Sequence, residues 1–112
     1  MIKRANRLRL PRHIKRAYER GKGWQGKYLR IKSFFAGGGA NARLAVVISK
    51  KSVAKATGRN LIRRRIKAAI REHLGDLRGW DIVVSPKGNA KEAKFDEIAK
   101  EINECVESLQ SS

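Results

Sequence analysis

A chain of 112 residues, 41% of them hydrophobic, is long enough for one domain with one core and too short for two. No apolar run approaches the ~20 residues needed to cross a bilayer, and the single cysteine excludes an internal disulfide. The net charge of +17 is strongly asymmetric: residues 1–71 hold 22 Lys or Arg and one acid, Glu19, against 5 basic and 9 acidic residues in 72–112.

We therefore read residues 1–112 as a single domain whose first two thirds meet a polyanion. Nucleic acid, acidic lipid and a merely solvated basic surface are the three readings of such a bias. The basic N-terminus is not followed by the apolar stretch of a secretory signal, so a cytoplasmic address is expected. His13 and His73 lie far apart with no Cys or paired carboxylates at ligand spacing, which argues against zinc.

In chain order, residues 1–9 are nearly all polar or basic and read as an arm without fixed structure until bound. Pro11 suits the first turn of a helix and Gly21 its end, with Leu10, Ile14, Ala17 and Tyr18 at helical spacing between them. Residues 22–26 are compatible with a short extra strand. From Lys27 to Phe35, Leu29, Ile31 and Phe35 alternate with Arg30, Lys32 and Phe34, the period of a strand with one basic face. The glycine run within Ala36–Ala42 reads as a mobile connection, since no GK[ST] follows to make it a phosphate loop.

Leu44–Ser49 is a run of mostly branched apolar residues and reads as a central strand. Thr57 and Gly75 are the expected caps of a second helix carrying Ile62, Ile66, Ala69, Ile70 and Leu74 on one stripe. Asp81–Ser85 is a further strand, ending at Pro86. Phe95, Ile98, Ala99, Ile102, Val106 and Leu109 define a third, amphipathic helix, on which Cys105 falls among core positions. The pattern is α+β, one sheet with helices packed on it.

On the second helix, Asn60, Arg63, Arg64, Lys67 and Arg71 cluster beside the apolar stripe, and no acid precedes Glu72. Like charges gathered this way repel, a cost expected where a partner supplies the counter-charge. Guanidinium forks suit phosphate, and an amide among them suits a ribose hydroxyl or a base edge. The short apolar face, with no Trp or Phe, disfavours a membrane. The preceding SKKSVAKATG reads as a strand exit and loop, which disfavours a DNA-reading helix-turn-helix. A self-sufficient nuclease needs convergent acids or a partnered His, and the basic two thirds offer one acid.

The stretch ISKKSVAKATGRNLIRRRIKAAIRE resembles the core motif of the ribonuclease P protein family, with Ser49, Lys50, Lys51, Lys55, Ala56, Arg59, Asn60, Ile62, Arg63, Arg64 and Arg65 falling into its pattern. Arg7-Leu8, Gly21-Lys22 and GWDIVV, residues 79–84, extend the likeness along about nine tenths of the chain. The resemblance implies a two-layer α-β sandwich in αβββαβα order, with a left-handed crossover where the general rule favours right-handed. It also implies that the protein breaks no bond and contributes no catalytic side chain. An RNA subunit with bound Mg²⁺ does the chemistry, and no organic cofactor is needed.

By the same resemblance, Arg59, Asn60, Arg63, Arg64, Lys67, Arg71, Lys50, Lys51 and Lys55 would contact the catalytic RNA, with Arg7 and Arg9 as N-terminal RNA contacts. A groove formed by Ile14, Tyr18, Tyr28, Arg30 and Lys32 would hold the 5′ leader of precursor tRNA. Neither DNA, a membrane nor an obligate protein partner is indicated. The chain departs from the family at Leu61, where a second Arg is usual and which helical projection sets opposite the apolar stripe. It departs again at Ser52, an extra loop residue, and at Ile14, where an aromatic is common. A structural RNA-binding protein of the ribosome is the alternative.

Overall fold

A computed structural model describes residues 2–111. Helix α1, Pro11–Arg20, begins with proline at its first turn and ends at Gly21, whose N–H bonds the Ala17 carbonyl. Strands β1, Lys22–Gln25, and β2, Leu29–Phe35, form an antiparallel pair. After the glycine run come β3, Arg43–Val46, and α2, Ala56–Arg71; β4, Trp80–Pro86, and α3, Phe95–Gln110, complete the chain. The αβββαβα order matches the expectation, and residues 22–25 do add a strand.

The sheet order is β1-β2-β4-β3, with β3 and β4 parallel and joined through α2. This corrects the placement of Leu44–Ser49 as a central strand: β4 is central and β3 is the edge. Periodicity reports burial and not neighbours, and β3 is shielded at its edge by an element with no period at all. Leu8 N–H bonds the Leu44 carbonyl at 2.9 Å, Arg7 bridges to Leu44, and Ile2 and Leu8 are both buried. Residues 2–9, read from sequence as an unstructured arm, are therefore laid along β3 with a 3₁₀ turn at Arg4–Asn6. Met1, part of that arm, lies outside the described residues. Covering an edge strand satisfies backbone groups that would otherwise template association.

Alternation along the strands sorts the two faces. Leu29, Ile31, Ile82 and Val84 join Ile62, Ile66 and Ile70 of α2 and Ile98 and Ile102 of α3 in the main core. On the other face Val83 packs with Ala17 of α1 and Leu8, flanked by Ile14, Phe34 and Ala45. The sandwich thus carries a partial third layer, α1. Phe35, on the core side by its parity, is exposed at the last position of β2.

Helix α2 also differs in its ends. Thr57 lies inside its first turn, with Lys55 at the cap position, and the helix closes at Arg71 instead of continuing to Gly75. Beyond it, His73 N–H bonds the Ile70 carbonyl, a tighter i→i+3 turn that brings Leu77 into the core. A buried carboxylate ties α3 to the sheet. Glu101 accepts the backbone N–H groups of Tyr28 and Leu29 at 3.0 and 3.1 Å, fixing α3 to the start of β2. Burial raises the Cys105 thiol to about 11, so it stays protonated at neutral pH and packs as core.

Candidate nucleic-acid interface

The polar face of α2 forms, with the N-terminal segment, an open concavity of about 530 Å³. Asn60, Arg63, Arg64, Lys67 and Arg71 line it from the helix and Arg7 from the segment, over Ile2 and Ala68. No acidic residue lines it. The docking of Ile2 and Leu8 is what brings Arg7, fifty and more residues away in sequence, beside the helix cations. A second hollow of about 270 Å³ shares Arg7, Arg63 and Lys67 with the first and adds Arg9 and Ile14.

Not every basic residue of the motif faces outward. Arg59 donates to the carbonyls of Val53 and Ala54 at 2.9 and 2.7 Å, buttressing the loop that exposes Lys50, Lys51 and Lys55. Arg65 bonds the Ala93 carbonyl at 2.7 Å and braces the turn before α3. The extra residue Ser52 is absorbed in a turn: its N–H reaches the Ser49 hydroxyl at 3.0 Å, while Val53 is buried beneath. Leu61, placed opposite the apolar stripe by projection, is half-buried.

A groove of about 390 Å³ opens on the other face of the sheet, beside α1. Tyr18, Gly23, Gln25, Arg30, Lys32 and Ser85 contribute to it, as expected for Tyr18, Arg30 and Lys32. The Tyr18 hydroxyl shares a 2.8 Å hydrogen bond with the Ser85 hydroxyl, which ties the exposed ring to β4. Gly23 leaves the floor open, since a Cβ there would come within 3.3 Å of the Lys32 ammonium.

Two residues assigned to the groove from sequence sit elsewhere. Tyr28 is buried in the main core, its hydroxyl donating to Glu97 of α3 at 3.0 Å and Lys27 lying over its ring. It precedes β2, so the turn before that strand, and not strand parity, sets its direction. Ile14 lines the hollow shared with α2 and packs near Phe34 and Ala45.

Sequence reasoning missed the group that fixes α1 over the sheet. Asp81 has no exposed surface and grips Arg43 through two bonds, 2.7 and 2.8 Å, and Arg16 through one of 3.0 Å. Arg16 also lies 4.4 Å over the Phe34 ring. An acid embedded in the apolar run DIVV was the available signal, because an unpaired carboxylate there would be prohibitive. Partial burial and the Arg43 guanidinium hold the nearby His13 below the usual imidazole value.

Fold and site together define a small α+β domain with two separate concavities lined by basic side chains. A family model described as Ribonuclease P matches residues 2–110, and the chain belongs to that family. It is 33% identical over 106 residues to the ribonuclease P protein component of Picosynechococcus sp., spanning 94% of this chain and 90% of that protein. The counterpart from Coxiella burnetii is 42% identical over 69 residues, covering 62% of this chain and 54% of its own length.

Among solved structures, the RNase P protein of Thermotoga maritima superposes with a TM-score of 0.77 at 28% identity, covering 91% of this chain and 96% of that one. The Staphylococcus aureus RNase P protein reaches 0.80 at 21% identity, with 95% and 96% covered, a likeness of fold. Family membership makes the chain an accessory subunit of an endoribonuclease of tRNA processing, and nothing in these matches supports the ribosomal alternative.

Proposed function

We propose that α2 and the N-terminal segment dock on the catalytic RNA of ribonuclease P while the groove beside α1 takes the single-stranded 5′ leader of precursor tRNA. The observation that carries this reading is the separation of the two concavities. The α2 cations and the Tyr18 groove belong to opposite layers, so two RNAs can be held together and the repulsion between them screened. Arg63, Arg64, Lys67 and Arg7 supply phosphate contacts, and Asn60 a base or ribose contact.

In the groove, Tyr18 offers a stacking face, Arg30 and Lys32 take leader phosphates, and the Ser85 hydroxyl is a further polar group within reach. Removal of the leader to give the mature 5′ end is left to the RNA with its bound Mg²⁺. The chain works in the bacterial cytoplasm in this reading.

Tyr18→Ala tests it. Loss of one stacked base is worth about 1 to 3 kcal/mol, so affinity for precursor tRNA should fall while affinity for mature tRNA changes little. Equal loss for both, measured by filter binding to the reconstituted complex, contradicts the groove assignment.

A further inference from the structure

On the sheet face away from the groove, at the end of β2, Phe35 keeps 53% of its surface open, the most exposed large hydrophobic side chain among the described residues. It lies across the ladder from Trp80, and the two rings meet edge to face with centroids 5.3 Å apart and planes at 65°. The Lys22 ammonium, from the neighbouring strand β1, stands over the Trp80 ring at 6.0 Å. A lone exposed aromatic is ordinary surface. Two rings and a cation converging from three strands are a different arrangement.

The backbone beneath them is fixed. Gly79 holds φ +89°, and a Cβ there would lie 2.7 Å from the Phe35 ring and 2.6 Å from the Gly37 carbonyl, so only glycine lets the ring settle. Its carbonyl accepts Ala36 N–H at 2.6 Å and its N–H donates to the Ala40 carbonyl at 2.9 Å. Next to the rings, Gly37, Gly38 and Gly39 have open space where side chains would stand. The rings are therefore pre-positioned, and a flat ligand would lose little freedom in ordering them.

We propose that Phe35, Trp80 and Lys22 form a stacking site for an unpaired nucleobase of RNA, separate from both concavities described above. Every base has a π-face that can lie against exposed aromatic rings, and Lys22 is placed to meet the adjoining phosphate. The charge of the chain favours this occupant over an apolar protein segment, since the first two thirds, to which Phe35 and Lys22 belong, draw polyanions.

The test uses the full chain carrying Trp24→Phe, which leaves Trp80 as the one tryptophan. Titration with a short single-stranded oligoadenylate should quench Trp80 emission, and an abasic oligomer of equal length and charge should not. Phe35→Ala should weaken the oligoadenylate response roughly fivefold or more, and the exposed Lys22→Glu should weaken it as well if Phe35→Ala perturbs the fold. Emission that stays unchanged when anisotropy shows the oligomer bound, or that responds equally to the abasic oligomer, overturns the proposal. Quenching by an apolar peptide but not by oligoadenylate would do so too. The probe contains neither catalytic RNA nor tRNA, so its failure is distinguishable from failure of the two concavities.

Discussion

Asp81 is the residue on which the placement of α1 turns, because it is fully buried and pairs with two guanidinium groups that are themselves two-thirds or more covered. Removing one member of such a group strands the others, and Asp81→Ala should cost about 2 to 4 kcal/mol, read as a lower urea midpoint. A change within error would mean that the pairs are solvent-screened. Glu97 carries a smaller, pH-dependent contribution. Its hydrogen bonds from Lys94 N–H and then from the Tyr28 hydroxyl hold its carboxyl below the usual value. The folded state thus resists protonation that the unfolded state accepts, so this contribution is present above the ordinary carboxylate value and is lost as pH falls through the lowered one. Glu97→Gln should narrow the stability gap to the parent protein progressively on acidification, in urea titrations run from neutral pH downward. A gap that stays constant with pH would contradict the role given to that carboxylate.

At the scale of elements, α2 shows what sequence can and cannot convey. Its stripe of Ile62, Ile66, Ala69 and Ile70 is buried as the spacing demands, and the cluster from Asn60 to Arg71 lines one concavity. The roles of Arg59 and Arg65 were hidden, because each bonds carbonyls that folding, not helical period, brings near. The covering of β3 by residues 2–9 was hidden for a like reason, since Ile2 and Leu8 are isolated apolar residues in a basic stretch and show no repeat. The prediction that belongs here concerns the cations of that concavity. Replacing Arg63 and Arg64 with Ala should weaken binding to the catalytic RNA and flatten the slope of log affinity against log salt by about 1 to 2. An unchanged slope would remove that face as the dock.

For the whole molecule, local pattern and composition carried the fold class and the element order, whereas strand order and the partners of Asp81 did not follow from them. Alternation fixes which side of a strand is wet, yet it is silent on which strand lies beside which. Asp81 meets Arg43 and Arg16, 38 and 65 residues earlier, and no local window contains them. Tyr18, Arg30 and Lys32, placed in the groove by the family resemblance, do line one hollow, and alternation along β2 sets Arg30 and Lys32 on the same wet face; Tyr28 lies at the strand's entrance, where a turn takes over. The proposed function is to bring two RNAs together, and reconstitution tests that most directly. Combined with its cognate catalytic RNA at low Mg²⁺, the chain should raise the rate of 5′-leader removal from precursor tRNA above that of the RNA alone. A rate that the protein leaves unchanged would contradict the account.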